Sequence, residues 1–125
     1  TSDSISTDAF DDNSDTGDEK SVSTFSGETL TYSEVLNMTA TAYTYNSGAN
    51  ITYSGAPAQV GIVAALPSTL PQGTKVYIVA EDGSWEYGVA IVGDKPARNI
   101  IDLFMETYDE CIQFGVRDAL VYVLD

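Results

Sequence analysis

The chain has 125 residues, 43% of them hydrophobic, enough for one domain with its own core and with no apolar run long enough to span a bilayer. Nineteen acids stand against five scattered bases for a net charge of -14, which leaves no basic patch for nucleic acid to bind. With no histidine and a single cysteine, Cys111, the chain offers no imidazole metal site, no histidine-dependent triad, no multi-cysteine zinc pattern and no internal disulfide. Acid and base chemistry therefore falls to carboxylates, and no metal or cofactor is expected.

Residues 1–24 carry Asp3, Asp8, Asp11, Asp12, Asp15, Asp18 and Glu19 against Lys20 alone. With few large apolar side chains to offset the entropy of ordering, this piece reads as a solvated linker or tail, and residues 25–125 as the domain. The chain opens on Thr1, as a trimmed segment would.

From Phe25 onward, short runs rich in Thr, Tyr and Val are separated by Gly, Pro and Asn. Residues 29–35 and 38–45 read as two strands, the second alternating in the period of two that strands require. A loop follows through residues 46–50, with a further short strand at 51–54. Residues 60–66, VGIVAAL, form a continuous apolar run between Pro57 and Pro67 and read as a strand buried on both faces. Residues 75–80, KVYIVA, are the next strand, and Glu81, Asp82 and Gly83 turn it into another at 85–92.

Residues 99–105 are strand-like, interrupted by Asp102. Thr107 and Glu110 have the spacing of a capping box, which predicts a short helix with Tyr108, Cys111, Ile112 and Phe114 on its apolar side and Gly115 as its left-handed stop. On that stripe Cys111 reads as a buried, inert thiol, with no histidine to activate it. Residues 116–124 close the chain as a strand. The class is mainly β with one short C-terminal helix, and the absence of strand–helix alternation argues against a doubly wound sheet. Barrel and sandwich both remain open on composition and period alone.

Asp102 between Ile101 and Leu103 is flanked by apolar residues, which disfavours a charged carboxyl and raises its pKa, as a general acid needs. The same position suits a buried structural Asp or one facing solvent. Asp94, beside Gly93, is either a turn acid or a second charge that keeps Asp102 protonated, while Lys95 and Arg98 could pair with either acid and lower its pKa. Tyr43, Tyr45, Tyr53, Trp85 and Tyr87 supply rings that pack a small β-domain or stack on sugars, Trp85 being favoured for its place near a turn.

Several stretches in order, MTATAYT, PAQVGIVAALPSTLPQGTKVYI, DGSWEYG, NIIDLFMETYDECIQFG and a closing VYVL, resemble the 3D domain, named for three aspartates. That domain is found in bacterial cell-wall proteins related to stationary-phase survival proteins and MltA-type lytic transglycosylases. The resemblance covers residues 33–124. It implies a six-stranded double-psi β-barrel, an extracellular, cell-wall-associated location, and peptidoglycan glycan strands as partner. It also implies cleavage between N-acetylmuramic acid and N-acetylglucosamine without water, one carboxyl serving as acid and then as base.

The family's last aspartate, in an IDLF motif, matches Asp102, and its middle one, in a D-T-G-G loop, matches Asp94. Thr41 and Thr52 fall in stretches resembling groove positions, joined as substrate contacts by Tyr43 and Trp85. The first family aspartate, in a VDP motif, is replaced by Leu66 in Ala65-Leu66-Pro67, and the glycine-rich connection before the last is shortened to KPARNII, where Pro96 stiffens the backbone. These departures keep a second expectation in view: a non-catalytic glycan-binding or regulatory wall module.

Overall fold

The structure, a computed structural model, describes residues 20–44 and 51–125. Most of the expected acidic tail, the expected loop at 46–50 and Tyr45 lie outside the described residues. The chain divides into two compact units, Thr1–Tyr32 and Ser33–Asp125.

In the first unit, β1 (Lys20–Ser23) pairs antiparallel with the start of β2 (Thr29–Tyr43), Lys20 opposite Tyr32 and Ser23 opposite Thr29. The end of the expected tail is thus a strand. The turn between them is closed by Thr24, whose N–H donates to Glu28 O at 2.8 Å and whose hydroxyl accepts from Glu28 N–H at 3.1 Å.

The second unit holds the rest of β2, then β3 (Ile62–Ala64), β4 (Lys75–Ala80), β5 (Glu86–Asp94), β6 (Ile101–Phe104), α1 (Tyr108–Phe114) and β7 (Arg117–Leu124). The strands follow the order β2-β6-β3-β5-β4-β7, and β2 also pairs with β7, so the sheet closes into a ring. Two neighbouring pairs run parallel, β2 with β6 and β3 with β5, while β3 with β6, β4 with β5 and β4 with β7 are antiparallel.

Alternation places one side chain in two inside the ring. Ala40, Val63, Val92, Ile101 and Leu103 point into a core completed by Val76, Ile78, Ala119, Val121 and Phe114. β4 is buried from Val76 to Ala80, on both faces. The run at 60–66 is strand only over Ile62–Ala64, where successive Val63 and Ala64 are buried on both faces as expected; Val60 is 54% exposed, and Gly61 at φ +103° starts the segment in a conformation that strand residues do not adopt.

Residues 29–43 form one long strand rather than two, because its polar middle at Glu34 and Asn37 faces outward instead of breaking the backbone. The β4–β5 turn is a tight hairpin, with Ala80 N–H donating to Trp85 O at 2.8 Å and Ser84 N–H to Asp82 Oδ1 at 2.9 Å.

The capping box is present: Glu110 N–H donates to Thr107 Oγ1 and Thr107 N–H to Glu110 Oε1, both at 3.1 Å. Gly115, at φ +65°, ends the helix with its N–H on Cys111 O. The expected apolar stripe is a different matter. Tyr108 is 65% and Ile112 61% exposed, and Phe114 alone is buried, under the edge of Trp85 at 5.1 Å. Seven residues make only about two turns, and this helix is anchored by its last residue rather than laid along the sheet. Cys111 is correspondingly half-buried rather than buried, its thiol pushed up first by desolvation and then by the charges of Asp102 and Glu110.

Tyr87 ties three strands at one end of the ring. Its hydroxyl, on β5, accepts from Gly61 N–H at 3.0 Å just before β3 and donates to Phe104 O at 2.8 Å at the end of β6. Burial pushes this phenol's pKa up, consistent with a neutral hydroxyl that both donates and accepts. Tyr87→Phe is expected to lower unfolding free energy by about 1–3 kcal/mol by leaving both backbone groups short of a partner. Urea denaturation checks this, and an unchanged midpoint would show that water replaces the hydroxyl.

Candidate functional site

Residues paired in register across a sheet share a face. Thr41 on β2 pairs with Asp102 on β6, Asp102 pairs with Ala64 on β3, and Ala64 pairs with Asp94 on β5. These four residues therefore form a row across four strands, on the face opposite the core side chains Ala40, Val63 and Leu103. Asp94 and Asp102 flank Ala64, and two strand spacings put their Cα atoms roughly 10 Å apart.

Asp94 belongs to this row because β5 carries a bulge. Val63 pairs with Val92 and Ala64 with Asp94, so Gly93 is an extra residue without a counterpart. In regular alternation Asp94 would share the inward face of Val92; the inserted residue turns it outward. Gly93 also admits a close approach: a Cβ there would lie 3.0 Å from Ile62 Cγ2 and 3.2 Å from Ser54 Oγ. Gly93→Ala is expected to cost about 1–2 kcal/mol, read by thermal melting, because Ile62 and the turn at Ser54 must both give way. A melting temperature equal to wild type would mean that the turn yields freely.

That turn, residues 51–57, is held by an Ile51–Pro57 bridge, by Thr52 N–H donating to Ala56 O at 2.9 Å, and by Ser54 N–H donating to Gly93 O at 2.9 Å. Thr52 is 4% exposed, with its hydroxyl donating to Ala56 O at 2.8 Å. It builds the turn and presents nothing to solvent.

Asp94 is 8% exposed and accepts from three segments: Tyr43 hydroxyl to Oδ2 at 3.0 Å, and the N–H groups of Tyr53 and Lys95 to Oδ1 at 3.0 and 2.9 Å. The Tyr43 ring packs edge-on against Phe104 at 5.6 Å. Gln72 donates through Nε2 to the Asp94 carbonyl at 3.1 Å, while its buried Oε1 has no partner among the described residues. Gln72 and Gly93 were not singled out from sequence as site residues. Gln72 sits in a loop that only folding brings to β5, and Gly93 looked like punctuation.

Asp102 is half-buried and accepts from Thr41 Oγ1 at 2.8 Å. Burial raises its pKa above the ordinary carboxyl value, the Thr41 hydrogen bond opposes this, the Asp94 charge adds to the rise, and Arg98 offsets it. Lys95 turns its ammonium to the Tyr53 ring, 5.5 Å from the centroid.

Thr41, Tyr43, Asp94 and Asp102 are thus brought together, with Thr52 behind them. Trp85 is not part of this group. It precedes β5 while Asp94 ends it, nine strand residues or roughly 30 Å of extended chain away. There Trp85 borders a cleft of about 320 Å³ with Glu81, Asp82, Ser84, Arg117 and Asp118, its ring facing the Arg117 guanidinium at 5.9 Å.

Among the described residues no cluster of His, Cys, Asp or Glu is arranged to hold a metal ion, and no helix is long and apolar enough to cross a membrane. No family model matches the chain, and a search of curated proteins finds no similar one.

Proposed function

We propose that the chain is a cell-wall protein of the 3D-domain type, built on a double-psi β-barrel, that cleaves peptidoglycan glycan strands as a lytic transglycosylase with Asp102 as its acid and base. The observation that carries this reading is the row Thr41–Asp102–Ala64–Asp94, in which a half-buried carboxyl with a raised pKa is oriented by a hydroxyl and stands near a second carboxylate. The closed ring with two parallel pairs supports the barrel, and the ordered motifs over residues 33–124 support the substrate class and an extracellular location.

In this reading protonated Asp102 gives its proton to the glycosidic oxygen as the bond to the anomeric carbon of N-acetylmuramic acid breaks. The resulting carboxylate then takes the proton of that sugar's own C6 hydroxyl, whose oxygen closes the anhydro ring on the anomeric carbon. The proton count is balanced and no water is consumed. Asp94, with both oxygens engaged, holds the site together and lends a charge that adds to the rise of the Asp102 pKa. Digestion of purified peptidoglycan followed by mass spectrometry should show anhydro-muropeptides with wild type and none with Asp102→Asn; equal yields would remove Asp102 as the acid.

The second reading, a wall-binding module without turnover, is favoured by Leu66. It is half-buried where the family has its first aspartate, and its carbonyl accepts from Thr69 and Leu70 N–H, both at 2.9 Å. It predicts glycan binding with no anhydro product from wild type and none after Leu66→Asp.

A further inference from the structure

The cleft beside Trp85 is built where two turns meet. The β4–β5 hairpin supplies Glu81, Asp82, Ser84 and Trp85, and the start of β7 supplies Arg117 and Asp118. Antiparallel pairing sets Ala80 opposite Ala119, and Glu81 N–H carries the ladder one step further to Asp118 O at 3.2 Å. The cleft is therefore held by paired strands rather than by a free loop.

Its charges are not matched within the protein. Arg117 donates through Nε to Phe114 O at 2.8 Å and through Nη2 to Gln113 O at 3.2 Å, with its guanidinium 4.6 Å from the Phe114 ring centroid. Tied in this way to the end of α1, it forms no ion pair with Glu81, Asp82 or Asp118 among the described residues, and the other N–H groups of its fork are left over. The Trp85 indole N–H also lacks a partner among the described residues and is not enclosed. Glu81 accepts from Asn37 Nδ2 at 2.7 Å and Asp82 from Ser84 N–H at 2.9 Å, and neither donor is a cation.

One space of about 320 Å³ thus offers a guanidinium and an indole N–H to a carboxylate, and three carboxylates to ammonium groups. The indole beside them covers aliphatic carbon. Acids alone would accept any cation; the unpaired guanidinium adds the demand for a carboxylate. Three acids against one base leave the lining two charges negative, so the matching ligand carries more ammonium than carboxylate.

We infer that this cleft binds a basic amino acid, free or as the C-terminal residue of a peptide, with its carboxylate on Arg117 and its ammonium among Glu81, Asp82 and Asp118. The inference is independent of glycan cleavage, since Trp85 and Asp94 stand at opposite ends of β5.

The test is a titration of the full chain followed by tryptophan emission, which reports on this cleft alone because Trp85 is the one tryptophan in the sequence. The probes are lysine, pentylamine, which keeps the net charge but lacks the carboxylate, and norleucine, which lacks the side-chain ammonium. Wild type should bind lysine about threefold more tightly than either, the worth of one exposed ion pair, and both preferences should shrink with added salt. Arg117→Gln should abolish the preference over pentylamine and keep that over norleucine. Glu81→Gln and Asp118→Asn, at exposed positions, should do the reverse. N-acetyl-lysine that binds as lysine does identifies a peptide end as the source, and weaker binding identifies the free amino acid. Unchanged emission with lysine, equal affinity for lysine and pentylamine in wild type, a pentylamine preference that survives Arg117→Gln, or a norleucine preference that survives both acid variants would overturn the site.

Discussion

Asp102→Asn is expected to slow release of anhydro-muropeptides by about 100- to 10,000-fold while making the protein more stable at neutral pH. The two effects have one origin. Burial disfavours the Asp102 carboxylate and raises its pKa above the ordinary 3.8, so the folded chain holds this proton more tightly than the unfolded one. Stability therefore falls as pH rises from about 3.8 through the raised folded value, and stays lower above it. Asn carries no charge to desolvate, and its carbonyl oxygen can still accept from Thr41. The variant should melt at a higher temperature than wild type at neutral pH and at the same temperature well below the ordinary carboxyl pKa. Melting curves at both ends of that range check the sign. A variant less stable than wild type at neutral pH would mean that the Thr41 bond outweighs burial.

The Asp94 substitutions should act in the opposite direction on stability. Asp94→Ala removes the acceptor for the Tyr43 hydroxyl and for the Tyr53 and Lys95 N–H groups at a position 8% exposed. A cost of roughly 3 kcal/mol is expected, less than three full penalties because the turn at 51–57 and the connection after Asp94 can rehydrate once released. Asp94→Asn keeps one oxygen for the two N–H groups and offers the Tyr43 oxygen a donor, so about 1 kcal/mol should be lost. It also removes the charge that helps raise the Asp102 pKa. With Asp102 as the acid, rate falls as pH rises past its pKa, so in Asp94→Asn this limb should move to lower pH while the maximum rate is largely kept. Urea denaturation and a pH–rate profile separate the two effects. A flat loss of rate at every pH would instead make Asp94 a direct participant in the chemistry.

What could be read from the sequence follows the range of the interactions involved. The β4–β5 hairpin, the capping box and the closing strand are set by residues a few positions apart, and their signals were plain in EDG, T-x-x-E and the apolar periods. Asp102 stood out because an acid inside IIDLFM breaks a local pattern. The row across four strands was not legible, since nothing in MTATAYT indicates that Thr41 will face Asp102. Thr52 and Trp85 illustrate the same limit from the other side: one resembled a groove position and is folded into its own turn, the other resembled a stacking ring and sits at the far end of β5. The helix stripe misled because periodicity assumes a partner surface along the whole helix, and of the residues of α1 Phe114 alone is buried.

The bulge at Gly93 makes β5 sensitive to the parity of its length. A change of one residue between Val92 and Asp94 would exchange the two faces for everything beyond it, carrying the carboxylate toward the core and leaving Tyr43, Tyr53 and Lys95 without their common anchor. Side chains along this edge can drift through substitution one at a time, but residues can be added or lost next to Gly93 only in even numbers. Length variation is thereby pushed past Lys95, into the connection that leads to β6.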